Sequence, residues 1–273
     1  MTDTSNPFYI STIASDAENI ARKYGLGLEI AEFCTASNMD SSVGISPPYD
    51  MSEDNSCGFV FGFEANDKLV RDKMRDVGQF VFHAPFNELC PAAIEPLIVD
   101  VAKKRYAQAY EVMTGYGIEK MVAHSGFVPQ IYFPEWFVEK SVAFWQEFLS
   151  DKPKEFRLYL ENVLEDSPDM LIEIAEKVND ERFRLCFDIG HAGIMGKSIP
   201  ITEWANRMLP FLAHVHLHNN HGKRDTHNAL YDGAIDVASV ISMLRNAAPK
   251  VTYTLEVINA DESAKWLKSN GYI

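Results

Sequence analysis

The sequence predicts a (β/α)8 barrel, the TIM-barrel fold, as a single domain over residues 1–273. Eight short apolar or β-branched runs alternate with eight segments of helical periodicity. Strands separated by helices run parallel, and eight such units close a barrel of about 250 residues. The length alone would also fit two smaller domains, but no linker or low-complexity tract divides the chain. The hydrophobic content of 47% is sufficient for a large core.

The predicted elements follow one another in a regular order. The strands are predicted at 8–13, 26–33, 79–82, 118–123, 156–160, the stretch that starts at 184, 212–218 and 251–255. The helices are predicted at 15–24, 66–77, 93–116, 135–149, 167–178, 201–208, 235–245 and 261–269. Local signals support these bounds: Ser15 and Glu18 fit a capping box, and Gly115 and Gly117 end the third helix.

Apolar stripes on two helices predict which faces are buried. The third predicted helix carries one helical stripe formed by Ile94, Leu97, Ile98, Val101 and Ala102. The fourth carries Phe137, Phe144 and Phe148 on one side. We interpret that aromatic stripe as core packing and not as a ligand-binding surface.

Composition and targeting signals limit the class of protein. The net charge is −14, from 25 basic and 39 acidic residues, whereas proteins that grip nucleic acid usually show a basic footprint. Residues 1–7 have no apolar signal region, and no run approaches the ~18 apolar residues of a membrane span. The four cysteines form no C-x-x-C pair. We therefore expect a cytoplasmic protein with neither a membrane nor a nucleic-acid partner; a local basic patch and an oligomeric state are left open.

The segment 35–58 differs from the rest of the chain. It is rich in serine, proline and acidic residues, shows little periodicity and contains no Lys or Arg. Long loops of this kind are typical of active-site lids or of mobile surface excursions, and both interpretations are left open.

Half a dozen predicted strands end in histidine or carboxylate residues. In a barrel of this kind the strand ends form the catalytic face. The candidates are His83, His124, Glu161, Asp188, His191, His216 and Glu256, with Asp225 and His227 in the loop after the seventh strand. Each alone also fits a structural role, but together they would repel one another without cations. Mixed nitrogen and oxygen ligands suit Zn²⁺, Mn²⁺ or Co²⁺.

The seventh predicted strand carries three alternating histidines. His214, His216 and His218 would share one face of the strand. They cannot all bind one metal in a compact site. His218 and His221 are the weaker candidates, for contacts with substrate or behind the metal ligands.

Several motifs resemble the xylose isomerase-like barrel superfamily, and the resemblance covers essentially the whole chain. These are Leu160-Glu161-Asn162, 187–192, 214–219, Asp225-Thr226-His227 followed by Gly233, and Thr254-Leu255-Glu256. This superfamily contains sugar and sugar-phosphate isomerases and epimerases, and also the endonuclease IV family of abasic-site DNA repair. The resemblance implies a metal-dependent isomerase or epimerase that acts on a sugar or sugar phosphate by proton transfer through an enediolate.

The two branches imply different metal sites. By resemblance to the epimerases, a single metal is held by Glu161, Asp188, His216 and Glu256, and the two glutamates also transfer the proton. His191 and Arg224 are then assigned to the substrate. By resemblance to the endonucleases, a trinuclear zinc site adds His83, His124, His191, Asp225 and His227. The number of ions is therefore left open.

Alternatives to the isomerase hypothesis follow from the same residues. The first is a multinuclear zinc phosphoesterase of the endonuclease IV type, against which the lack of cations in 35–58 argues. The second is a barrel that binds sugar without turnover, against which the paired glutamates argue. Asn219 stands where the superfamily often has Asp, which puts the surroundings of His216 in doubt.

Overall fold

The computed structural model describes residues 7–40, 62–196 and 198–273. Eight strands in these residues form a closed barrel, in which each strand pairs in parallel with the next and β8 pairs with β1. The predicted (β/α)8 barrel is confirmed. The strands are β1 Phe8–Ser11, β2 Gly27–Ile30, β3 Phe80–His83, β4 Lys120–His124, β5 Arg157–Glu161, β6 Phe183–Asp188, β7 Leu212–Leu217 and β8 Thr252–Leu255.

Helices connect the strands on the outside of the barrel. They are α1 Ala17–Tyr24, α2 Phe63–Met74, α3 Pro96–Gly115, α4 Pro134–Leu149, α5 Asp169–Val178, α6 Ile189–Met195, α7 Ile201–Met208, α8 Val237–Ala247 and α9 Ala260–Ser269. Most agree with the predicted helices within about three residues. Helix α6 was not predicted, and it begins directly after β6. No described helix is both long and apolar enough to cross a membrane.

Alternation along the strands separates two hydrophobic clusters. The larger includes strand residues such as Ile10 and Phe82 and helix residues such as Trp145, so it lies between the barrel and the helices. The smaller lies on the opposite strand faces, inside the barrel, and consists of Tyr9, Val81, Val122, Tyr159 and Cys186. Polar side chains share this interior, and each of the following is fully buried: Glu29, Glu161, Asp188, His214, His216 and Thr254.

Of the five residues in the apolar stripe predicted on the third helix, only Ala102 faces the core. Leu97 is 70% exposed and Ile94 61%, and Ile98 and Val101 are also exposed. Helix α3 instead buries the face formed by Ala102, Tyr106, Ala109 and Met113. The larger apolar residues Leu97, Ile98 and Val101 lie outside this buried face. The aromatic stripe of α4 is packed against the core as predicted, with Phe137 and Phe144 buried and Phe148 partly so.

The segment after β2 is described only at its start. Residues Ala36–Met39 form a short 3-10 helix. The rest of the predicted lid or surface loop, 41–58, lies outside the described residues.

Candidate metal centre

The register of the barrel places side chains from neighbouring strands at one level. His124 pairs with Glu161 across β4 and β5, and Asp188 pairs with His216 across β6 and β7. Glu256 follows β8 directly, and its backbone N–H donates a hydrogen bond to Leu217 O at 3.1 Å. These pairings bring the predicted strand-end residues into the mouth of the barrel.

The first cluster, here called the central group, consists of Glu161, Asp188, His216 and Glu256. One ligand atom from each lies within 4.8 Å of the others. His216 Nδ1 is 3.0 Å from Glu256 Oε2, 3.2 Å from Glu161 Oε1 and 3.8 Å from Asp188 Oδ2. These are the four residues that the epimerase resemblance assigns to one metal.

Several buried polar atoms of the central group have no hydrogen-bond partner, and they show whether a cation fits there. Both carboxylate oxygens of Glu161, both ring nitrogens of His216 and Glu256 Oε2 are buried and make no hydrogen bond. Leaving a buried polar atom unsatisfied costs about 1–3 kcal/mol, and more when it is charged. A divalent cation would supply the missing partner for the carboxylates and for a ring nitrogen together. The residues present therefore fit a metal ion.

A second cluster, here called the β3–β4 group, consists of His83, His124 and Glu161. Glu161 Oε2 lies 3.4 Å from His83 Nε2 and 3.5 Å from His124 Nε2. His83 Nδ1 lies 2.9 Å from Ala84 O, which orients the other nitrogen toward Glu161. Burial lowers the pKa of His124 to about 4, which keeps its ring neutral and its lone pair available. Glu161 is common to this group and the central group.

A third cluster, here called the lateral group, consists of His191, His218, Asp225 and His227. Asp225 Oδ2 lies 3.0 Å from His191 Nε2 and 3.1 Å from His227 Nε2. Burial disfavours the charged form of His227, but its hydrogen bond with Asp225 and the nearby carboxylate charges together outweigh burial and raise the pKa to about 9. For Asp225 burial is likewise outweighed, by the hydrogen bonds from His191 and His227, and its pKa is held far below the usual range.

His191 reaches the lateral group from a helix and not from a strand end. The β6 strand ends at Asp188, and α6 begins at Ile189. The Asp188 side chain caps this helix by accepting a hydrogen bond from the backbone N–H of His191 at 2.7 Å. Asp188 thus both belongs to the central group and fixes the backbone that carries His191.

Glu29 is a site residue that sequence analysis missed. It lies in the middle of β2, is fully buried, and places Oε1 3.0 Å from His216 Nε2. Its Oε2 lies 3.2 Å from His214 Nε2 and accepts a hydrogen bond from Thr254 Oγ1 at 2.5 Å. The nearby histidine charge outweighs the cost of burial and holds the pKa of this carboxyl well below its usual range. The signal in the sequence was a carboxylate in the interior of the predicted strand 26–33, which also contains Glu32.

Arg224, which was predicted to bind substrate, and His221, a weaker candidate, lie apart from these groups. Arg224 is exposed, and its side chain forms no ion pair within the described part of the chain. His221 is also exposed and lies 3.4 Å from Asp232. The role of Arg224 in substrate binding stays a prediction.

Comparison with known proteins places this site in context. A family model described as xylose isomerase-like TIM barrel matches residues 20–270. An uncharacterized protein of Methanocaldococcus jannaschii, MJ1311, is 24% identical over 196 residues, which cover 68% of this chain and 67% of that protein.

Solved structures share the fold over most of the chain. The TTHB071 protein from Thermus thermophilus, soaked with ZnCl2, has 21% identity and a TM-score of 0.68, with 97% of this chain and 98% of that one covered. A D-tagatose 3-epimerase-like protein has 19% identity and a TM-score of 0.70, with 97% and 96% covered. The D-allulose 3-epimerase of Methylomonas sp., in complex with D-allulose, has 15% identity and a TM-score of 0.63, with 90% and 82% covered. At these identities the likeness shows the fold alone.

Proposed function

The chain belongs to the xylose isomerase-like TIM barrel family, and from this we propose that it is a metal-dependent isomerase or epimerase of a sugar or sugar phosphate. The epimerases among its structural relatives support the reaction class. The observation that carries the proposal is the central group. Glu161 of β5 and Glu256, directly after β8, converge on His216, and both oxygens of Glu161 and Oε2 of Glu256 are buried without a hydrogen-bond partner.

The metal ligands in this proposal are Glu161, Asp188, His216 and Glu256, with Zn²⁺, Mn²⁺ or Co²⁺ as the ion. When bound, such an ion supplies positive charge that polarises a carbonyl and stabilises an enediolate. The TTHB071 protein soaked with ZnCl2 and the IOLI protein with a bound zinc atom, which share this fold, support the proposal of a metal. The β3–β4 and lateral groups provide room for further ions.

Proton transfer is assigned to Glu161 and Glu256. They come from β5 and from the end of β8, three strands apart, so they approach the centre of the mouth from different directions. One carboxylate takes the proton from the carbon next to the carbonyl, and the other, as the acid, returns a proton to the enediolate. Glu161 is fully buried whereas Glu256 is 12% exposed, so Glu256 exchanges its proton with solvent more readily. His191 and Arg224 are assigned to orienting substrate oxygens.

Solvent deuterium exchange tests this mechanism without knowledge of the product. Metal-loaded protein is incubated in D2O with a panel of keto sugars and their phosphates, and deuterium at the carbon next to the carbonyl is measured by NMR. We expect exchange with at least one compound, and a loss of about 10²–10⁴-fold in Glu161→Gln and in Glu256→Gln. Glu173→Gln, a surface carboxylate paired with Lys177, is the matched control. Wild-type exchange rates in both active-site variants would overturn the mechanism.

A second candidate function is a multinuclear zinc phosphoesterase of the endonuclease IV type. The observation that favours it is that the central and β3–β4 groups share Glu161, as neighbouring metal ions in such sites share a bridging carboxylate. The net charge of −14 opposes a nucleic-acid substrate. Cleavage of an abasic-site DNA duplex by zinc-loaded protein, with no exchange on any sugar, would favour this candidate.

A further inference from the structure

The ring nitrogens of the lateral group are oriented by hydrogen bonds on their far sides. His191 Nδ1 lies 2.9 Å from Asn162 O, and His227 Nδ1 lies 2.7 Å from Glu256 O. A carbonyl oxygen only accepts, so each Nδ1 carries the hydrogen. Without an ion, each Nε2 carries a hydrogen as well and donates it to Asp225. A bound cation would replace these two hydrogens, and the Nε2 lone pairs would then point at the same place beside Asp225.

His218 follows the same pattern from the opposite side. Its Nε2 lies 3.0 and 3.1 Å from the two carboxylate oxygens of Asp188, so this nitrogen is the donor. Its Nδ1 is left with a lone pair that lies 3.5 Å from Asp225 Oδ1. His218 is fully buried, and Nδ1 has no hydrogen-bond partner. Three imidazole lone pairs and one carboxylate therefore surround a common point.

The spacing of these atoms suits a tetrahedral ion. Zinc bonds of about 2.0–2.1 Å at tetrahedral angles place neighbouring ligand atoms about 3.3 Å apart. Asp225 Oδ2 lies 3.0 Å from His191 Nε2 and 3.1 Å from His227 Nε2, and Asp225 Oδ1 lies 3.5 Å from His218 Nδ1. Each histidine also has the outer hydrogen-bond acceptor that metal-binding imidazoles use to fix their tautomer.

We propose that His218 is a fourth protein ligand of the lateral group, and that it closes this site around one zinc-type ion with His191, Asp225 and His227. Four protein ligands fill a tetrahedral site, whereas an ion that binds substrate or activates water needs an open position. The lateral ion therefore holds the loop of Asp225 and His227 against β7 and does not take part in the reaction. Because both ring nitrogens of His191 are then engaged, its proposed contact with substrate oxygens no longer applies, and that role is left to Arg224. Substrate chemistry is left to the central group.

Asp188 connects the lateral ion to the central group. It contributes an oxygen to the central group and accepts the hydrogen of His218, as a carboxylate–histidine–metal unit does. This inference rests on the metal dependence in the proposed function but not on the sugar chemistry. The competing explanation is that His218 only orients Asp188 and binds no ion.

Metal content distinguishes the two explanations. Wild type, His218→Asn, His227→Asn and His221→Asn are loaded with Zn²⁺ and dialysed, and bound zinc is measured by elemental analysis and by competition with a chelator. The His227→Asn variant shows how much zinc is lost when the lateral group cannot bind its ion. His221→Asn is the matched control, because its ring is exposed and lies outside the three groups.

We expect His218→Asn to lose the same zinc equivalent as His227→Asn, with the zinc affinity of the lateral group reduced at least about tenfold. The double variant with both substitutions should lose no more than that one equivalent. His221→Asn should bind zinc as wild type does. The proposal is overturned if His218→Asn keeps the zinc that His227→Asn loses, if it loses a central ion instead, or if wild type holds no zinc that depends on His227. None of these outcomes depends on sugar turnover. Failure of the proposed function would appear in the deuterium exchange and not in the zinc content.

A measurement on the wild type covers the case in which the buried variant does not fold. Correlation spectra of the ¹⁵N-labelled histidine rings are recorded while Zn²⁺ is added. We expect Nδ1 of His218 to shift together with Nε2 of His191 and Nε2 of His227. Shifts of the latter two with an unchanged Nδ1 of His218 would exclude it as a ligand.

Discussion

Replacing Gly190 by alanine should destabilise the protein and weaken metal binding, although local helix propensity predicts the opposite. Gly190 is the second residue of α6, where alanine is preferred over glycine by up to ~1 kcal/mol. A Cβ atom at this position would lie 1.9 Å from Cε1 of His218 and 2.4 Å from both of its ring nitrogens. The ring cannot move away easily, because it is fully buried and hydrogen-bonded to Asp188.

The expected size follows from these opposing effects. Forcing an extra carbon into a packed interior costs about 1–3 kcal/mol, and a contact this short belongs to the upper part of that range. After the gain in propensity, a net loss of about 1–2 kcal/mol remains, which lowers Tm by roughly 2–8 °C for a chain of this size. Displacement of His218 should also reduce the zinc content of the lateral group.

Thermal unfolding and elemental analysis of Gly190→Ala measure both effects. Gly115→Ala, at the end of α3, is the control, because nothing lies within 4 Å of the added carbon. We expect the control to match wild type or exceed it slightly. A Gly190→Ala protein that melts at or above the wild-type temperature with full zinc content would refute the close packing of His218 on α6.

Three further outcomes are expected. Glu29→Gln should weaken metal binding by the central group about 10–100-fold in chelator competition, because Glu29 lies 3.0 Å from Nε2 of His216. An unchanged affinity would show that Glu29 does not support metal binding. Removing a metal that was present at about 1,000 times its Kd should cost about 4 kcal/mol of stability, seen as a lower Tm in chelator, and an unchanged Tm would contradict metal binding by the folded state. Leu97→Glu should change the free energy of unfolding, measured in urea, by no more than about 0.5 kcal/mol, since Leu97 is 70% exposed. A loss of several kcal/mol would show that Leu97 is buried, as the sequence predicted.

Periodicity and turn signals in the sequence were sufficient to predict the barrel and the order of its elements. They failed on α3, because an apolar stripe shows that a helix is amphipathic but not which of two faces the barrel accepts. The face with Ala102, Tyr106, Ala109 and Met113 packs inward. That choice depends on the shape of the neighbouring strands, which periodicity does not contain.

The predicted fold was sufficient to bring the strand-end residues together, but not to show which group each histidine belongs to. Alternation correctly placed His214, His216 and His218 on one strand face. The structure puts His214 beside Glu29, His216 in the central group and His218 in the lateral group. Their depth in the barrel depends on register and on partners from other strands. Glu29 was missed because it lies inside its strand and not at the strand end, where the other candidates were sought.

The separation of the two hydrophobic clusters has a consequence for how this protein can change during evolution. The cluster between the barrel and the helices is apolar and contains none of the metal-centre side chains, which lie inside the barrel or on the segments after β6 and β7. A substitution in the mouth therefore alters reactivity while the outer packing, from Ile10 to Trp145, keeps its shape. New substrates can be explored one interior residue at a time, without first rebuilding the framework that holds the strands together.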